Sequence, residues 1–289
     1  MSGIIWGLLA AVFVGVSDAV ARSTTQKVSI SILILAVMSL STLGLSVLFM
    51  FTDNWPRWHA YAWAVSAASG VLNIVALMFL YKALERGPVA VASPAASSFT
   101  VMLVAMNALA GQPFSWAQGL AIALVFGGVI MLSRPSKTPA SEPDYSATWL
   151  RTTALLGLAT AFTVSLRMFF AQEASAEIGP MPALYLNRMF ALISVLILVA
   201  WQLQQGQKLN TPRGKVAALV FAQATLEVAA LWAFLMGSQG DGRIAASIGF
   251  AAFAAITTIT AWLWLGEKVA PARWIWIAVI GLGIILASS

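Results

Sequence analysis

The sequence predicts an all-α membrane protein, ten transmembrane helices arranged as two inverted five-helix repeats around a central cavity. Three observations carry that expectation. Of 289 residues, 60% are hydrophobic and 9% charged, with a mean hydropathy of +0.88. A soluble domain averages about 25% charged residues, so this chain could not clothe a water-facing surface. Its apolar runs approach 20 residues, the length that crosses a bilayer as a helix and too long for barrel strands. A single long polar linker divides the chain nearly in half.

Apolar runs place ten spans near 3–21, 30–51, 60–81, 89–110, 115–133, 149–171, 181–203, 216–237, 244–265 and 271–288. Each is helical, because lipid offers a backbone no partner outside itself. Breaks fall at Asp53-Asn54-Trp55-Pro56, Gly87-Pro88, Gly111-Gln112-Pro113, Gly179-Pro180 and Gly240-Asp241-Gly242, residues that end helices and open turns. The start, "MSGIIWGLLAAVFVGVSDAVAR", lacks the basic n-region and cleavage pattern of a signal peptide and reads as a first span. The polar linker at 134–148 separates a first unit, 1–133, from a second, 149–289.

Shifting the chain by 155 residues superposes 87–133 on 242–288 without a gap. Gly87 falls on Gly242, Gly111 on Gly266, Ala117 on Ala272 and Gly128 on Gly283. With five helices per unit, the second must enter the membrane from the opposite side. Charge agrees. Twelve of the 16 Lys and Arg fall on one face: Arg22, Lys27, Lys82, Arg86, the linker region (Arg134, Lys137, Arg151), Lys208, Arg213, Lys215, Lys268 and Arg273. The positive-inside rule makes that face cytoplasmic and puts both termini outside.

The net charge of +6 is dispersed in short loops, so the cations orient the protein and do not indicate nucleic acid. There is no Cys and one His (His59), which excludes thiolate chemistry and a multi-histidine metal site; no cofactor is implied. GxxxxGK, HExxH and GxSxG are all absent, so the expectation is a non-enzyme that does not hydrolyse ATP.

A charge at the centre of a span costs about 2.5–3.5 kcal/mol on insertion scales, enough to disfavour one without a partner or a water-filled cavity. Glu227 lies near the middle of span 8, with Gln223 one turn earlier on the same face. Arg188 lies in span 7, beside Asn187 and three residues after Tyr185. Arg167 closes a polar stripe with Thr160 and Thr163 in span 6, placed close enough to the helix end to snorkel. Span 3 offers Ser66, Ser69 and Asn73. Two readings stand for these groups: a buried ion pair that locks helices, with the hydroxyls as packing contacts, or the lining of a wet midplane cavity. An arginine and a carboxylate facing one chamber suit a zwitterion, and a carboxyl at that depth is a candidate proton carrier. Asp18 and Arg22, one turn apart at the end of span 1, read as a cytoplasmic-face ion pair or as gate residues, and Pro94, with Ser93 and Ser97, as a tolerated kink or as a gate kink that exposes backbone carbonyls. Trp232, Trp262 and Trp264 could line a substrate wall or face lipid, and Glu173 and Glu177 are expected in a solvated outer loop between spans 6 and 7.

The segment "WLWLGEKVAPARWIWIAVIGLGIILASS" (262–289) resembles the end of an EamA repeat, and "NALAGQPFSWAQGLAIALVFGGVIMLS" (107–133) is a weaker first copy with Gln112 at the glutamate position. "FLYKALERGPVAVASPAASS" (79–98) is similar to the family's turn between repeat helices three and four. The resemblance spans essentially the whole chain and implies two EamA repeats of the drug/metabolite transporter superfamily, working by alternating access. Members include exporters of amino acids, the YddG type among them. It implies a secondary transporter in a bacterial-type inner membrane, with a small-molecule substrate, lipid around it and a monomeric or homodimeric state. Alternatives are uptake, or translocation of drug cations, sugars or nucleotide- or lipid-linked sugars; a receptor or assembly subunit is the non-transporting one.

Overall fold

The punctuated apolar runs become ten α-helices among the described residues: α1 (Gly3–Thr25), α2 (Ile30–Thr52), α3 (Ala60–Arg86), α4 (Phe99–Leu109), α5 (Trp116–Leu132), α6 (Ala147–Ile178), α7 (Pro180–Gln204), α8 (Lys215–Gly237), α9 (Arg243–Phe250) and α10 (Pro271–Ala287). The computed structural model describes residues 3–25, 27–86, 95–96, 98–132, 147–253, 255–256, 259–260, 263 and 271–287. The expected linker therefore lies, but for its last two residues, outside the described residues, as do Ser93, Pro94, Ser97, Trp262 and Trp264.

Turn chemistry sets the helix ends. Gly179 adopts φ 88, a left-handed backbone open to glycine, and Pro180 then starts α7 where no amide donor is needed. Asp53 ends α2 in the left-handed region, its N–H bonded to the Phe49 carbonyl.

Five helices are long and apolar enough to cross a membrane: Ile30–Thr52, Ala60–Leu80, Arg151–Ile178, Pro180–Gln204 and Lys215–Gly237. Shorter apolar helices occur at Gly3–Asp18, Phe99–Leu109, Trp116–Gly128 and Trp274–Gly283. Two elements depart from the expected spans. α6 runs seven residues past the expected end at 171, to Ile178. Span 9 is not one continuous helix: α9 ends at Phe250 and a turn at Ala251–Ala252 follows, before further helical residues. Ala251 N–H is there shared between the carbonyls of Ser247 and Ile248.

Helix pairing repeats itself when each helix is replaced by the one five places on. The α3–α6 packing is matched by α8–α1, α1–α9 by α6–α4, and α3–α7 by α8–α2, while α5–α10 and α2–α7 map onto themselves. The α5–α10 seam shows this in detail. A Cβ on Gly128 would meet the Ile280 side chain at 2.7 Å and the Trp276 carbonyl at 3.2 Å. A Cβ on Gly283 would meet the Val125 side chain at 2.8 Å and the Ala121 carbonyl at 3.1 Å. Each residue of the second contact lies 155 after its counterpart in the first or the reverse, the shift read in the sequence.

The α3–α7 crossing is equally close: a Cβ on Gly70 would stand 2.7 Å from Phe190 Cβ and 2.9 Å from the Asn187 carbonyl. Small residues let backbones approach in this way within a membrane. The α2–α8 pairing, its counterpart under the repeat, is looser, and Gly44 in α2 has nothing within 4 Å.

Candidate functional site

The α3–α7 crossing fixes the polar side chains around Arg188. Asn187 Nδ2 donates to Ser69 Oγ at 2.7 Å, and Ser69 Oγ donates to the Arg167 carbonyl at 2.8 Å, joining α7, α3 and α6 at one level. Arg188, one residue on, turns toward α8. Its Nη1 lies 3.3 Å from Glu227 Oε2, and its Nη2 donates to the Glu227 main-chain carbonyl at 3.0 Å. Gln223 Nε2 approaches the other carboxylate oxygen at 3.4 Å, and Thr24 Oγ1 of α1 lies 3.4 Å from Gln223 Oε1. The guanidinium is buried, its side chain 3% exposed, whereas the carboxylate keeps 25% of its surface open.

A sulfur completes the shell. Met38 Sδ of α2 stands 3.5 Å from Arg188 Nη1 and 3.8 Å from Asn73 Nδ2, a weak acceptor in an otherwise apolar wall. Among the described residues the Arg167 side chain reaches a sulfur: its Nη2 is 3.6 Å from Met168 Sδ. The Nε atoms of Arg167 and Arg188, Asn187 Oδ1 and Ser66 Oγ are buried with no hydrogen-bond partner among the described residues.

An apolar plug and a cavity flank the ion pair. On one side pack Leu33, Ile34, Val37 and Met38 of α2, Val195 and Val199 of α7, and Val220 of α8. On the other is a cavity of about 530 Å³ between α2 and α8, closed at one edge by Met181 and Leu184 of α7. Met181 and Leu184 precede Arg188 by seven and four residues and share its helix face. The walls Ala224 and Val228 flank Glu227 in the sequence, while Ser41 and Thr225 supply the hydroxyls. Neither charged group is itself among the lining residues.

Glu227, Gln223, Arg188 and Asn73 thus come together in one cluster, and Arg167 adjoins it through Ser69 and the fields of Arg188 and Glu227. Arg167 does not sit near a helix end: α6 continues eleven residues beyond it, because the helix stays packed against α3 and α8 neighbours. Thr163 Oγ1 donates to the Ala159 carbonyl at 2.7 Å, so its hydroxyl proton is used within α6. Tyr185 packs with Phe49 and Trp55 at centroid distances of 5.3 and 5.7 Å, its hydroxyl 3.3 Å from Ser46 Oγ. Asp18 is half-buried in α1, and the Arg22 side chain, like Pro94, lies outside what is described. Trp232 lines the cavity and meets Trp6 edge-on at 5.5 Å.

Glu173 departs most clearly from expectation. It lies within α6, pairs with Arg243 of α9 and accepts from Tyr61 OH at 3.0 Å. Glu177, also helical, stands 3.7 Å from His59 Nε2, with both groups about half exposed. Beside them Asn107 Nδ2 donates to Gln172 Oε1 at 2.9 Å, and Gln172 Nε2 to Ser238 Oγ at 3.0 Å. A buried polar layer therefore ties α4, α6 and α8 where the sequence suggested a solvated loop. Met38 and Thr24 were not legible as site residues either, since a methionine and a threonine inside spans carry no distinguishing pattern.

No curated protein matches the chain. Among solved structures, one crystal structure superposes with a TM-score of 0.79 over 99% of this chain and 96% of its own, at 16% identity, a likeness of fold alone. The model of the EamA-like transporter family matches residues 1–134 and 151–289. With apolar helices throughout and both halves of the chain matched, this protein is a multi-pass membrane protein of the EamA-like transporter family, within the drug/metabolite transporter superfamily.

Proposed function

We propose that the protein is a secondary transporter that exports amino acids or related small metabolites by alternating access, with Arg188 and Glu227, which adjoin the cavity's lining residues on α7 and α8, as its polar anchor. The carrying observation is the ion pair itself: a guanidinium 3% exposed and a partly open carboxylate, mid-span, between an apolar plug and a 530 Å³ cavity. A buried pair adds little net stability, so its placement there favours recognition. The guanidinium and carboxylate match the two charges of an amino acid, and the apolar walls suit its side chain.

Alternating access accounts for the unequal treatment of two related pairings. The α3–α7 crossing is sealed at Gly70 and by the Asn187–Ser69 bond, whereas α2–α8 gapes around Gly44. Two units, 1–133 and 149–289, inverted in the bilayer, would exchange these states to move the opening across the membrane. With both termini outside a bacterial inner membrane, the cavity occupies the outer half and the plug the inner half. Glu227 would be the proton-coupled group.

Counterflow in proteoliposomes against a panel of amino acids, quaternary ammonium dyes and sugars tests the reading. Amino acids are expected to exchange, with Glu227→Gln and Arg188→Ala each losing most flux. Glu227→Gln with undiminished, equally pH-dependent flux would remove the carboxylate from the mechanism.

A further inference from the structure

The charges at the site do not balance. Both oxygens of Glu227 already have a protein neighbour: one faces Arg188, the other faces Gln223. Arg188 is the partner that neutralises it. Arg167 then stands as a second guanidinium with no carboxylate partner among the described residues. The charged groups acting on it are Arg188, which repels it, and Glu227, which is already paired. Its described polar contact is one methionine sulfur at 3.6 Å, and its Nε is buried without a partner, as is that of Arg188.

An unpaired cation in a low-dielectric span is costly, and it is tolerated where a counter-charge arrives. A guanidinium is also a poor candidate for shedding its proton, so neutralisation has to come from outside the side chain. Two further unpartnered buried polar atoms, Ser66 Oγ of α3 and Asn187 Oδ1 of α7, are a hydroxyl and a carbonyl. They carry no charge that could do it.

We propose that Arg167, with the free Nε edge of Arg188, receives an anionic group of the cargo, so that the site selects organic acids of net charge −1 over zwitterions and cations. A zwitterion would leave the cluster at +1 and a cation would raise it; a monoanionic carboxylate brings it to zero. This rests on the carrier reading above, replaces its match to a zwitterion by a match to a net anion, and narrows the substrate class to acidic amino acids and simple hydroxy- or keto-acids. Ser66 and Asn187, on the neighbouring faces of α3 and α7, are placed to take hydroxyl or amino hydrogens of such a molecule.

Binding and flux are tested separately. Thermal unfolding of the purified protein in mild detergent is followed with L-glutamate, lactate, L-alanine and L-lysine at ionic strength matched by chloride. The two anions should raise Tm in a saturable way, and the other two should not. Arg167→Gln should shift the half-saturating anion concentration up by about ten- to hundredfold, the loss of a hydrogen-bonded charge partner. Arg167→Lys, which keeps the charge but not the fork, should fall between and serves if the glutamine variant does not fold. Equal stabilisation by L-alanine, no effect of anions beyond chloride, or anion binding unchanged in both variants would overturn the proposal. The same panel in counterflow separates the two readings. Anion binding without exchange would remove the carrier and keep the site; exchange of zwitterions with no anion preference would do the reverse.

Discussion

Breaking the Arg188–Glu227 pair from either end should give unequal penalties, and the inequality is set by exposure. At 3.3 Å two unit charges attract by about 5 kcal/mol at an effective dielectric near 20, most of which is offset by desolvation. Glu227→Gln leaves a guanidinium that is 3% exposed without a counter-charge. Its Nη2 bond to the residue 227 carbonyl survives, since that oxygen belongs to the main chain. The loss should be about 3 kcal/mol, the low end for orphaning a buried charge. Arg188→Met instead leaves a carboxylate that is 25% exposed and still contacted by Gln223, and should cost about 1–2 kcal/mol. The double variant removes both members of the pair, and with them the repulsion and the attraction each exerts on Arg167, and should recover to within about 1 kcal/mol of the parent. The measurement is reversible unfolding in mixed detergent, closed as a double-mutant cycle. A Glu227→Gln cost under about 1 kcal/mol, or a double variant as weak as the sum of the singles, would refute the account. Should the double variant also transport as well as the parent, the pair would be a helix lock and nothing more.

Other expectations follow from space and orientation. A Cβ at Gly7 would sit 2.2 Å from the Ala246 carbonyl, so Gly7→Ala should lower stability by about 1–3 kcal/mol in the same unfolding assay. Gly44→Ala, with nothing within 4 Å, should be neutral or gain up to about 1 kcal/mol from helix propensity. Gly44→Trp projects into the 530 Å³ cavity and should block counterflow while leaving the unfolding midpoint nearly unchanged; normal flux would show that the cavity is not on the path. Because the chain has no cysteine, single replacements report sidedness directly: Asp53→Cys should react with an impermeant thiol reagent from outside the cell, and Gly206→Cys only after lysis.

Five long apolar spans and the charged cluster are legible in the sequence, the first from unbroken hydropathy and the second because a carboxylate and two arginines have no business in lipid unless something meets them. What met them was not readable. Arg188 looks toward Glu227 because Gly70 lets α3 and α7 close to contact and sets the rotation of α7, a three-dimensional fact with no linear signature. The same holds for Arg167, whose polar stripe is visible in the chain but whose lack of a counter-charge is not. Glu173 was misread for a local reason. The apolar run of α6 ends near Ala171, yet the helix continues because Gln172, Glu173 and Ser175 find partners on α3, α4, α9 and the turn that follows α8. The turn at Ala251–Ala252 lies in an alanine- and phenylalanine-rich stretch with no proline, so nothing announced it.

The glycine seam between α5 and α10 has a consequence for ancestry. In it, Gly128 meets Ile280 while Gly283 meets Val125, so each side supplies one notch and one branched aliphatic knob. That is the signature of an isologous contact, in which one surface recognises itself. A solitary five-helix polypeptide therefore already holds both halves of the joint. Two such molecules inserted in opposite directions could assemble through it before any fusion tied them into a single gene product.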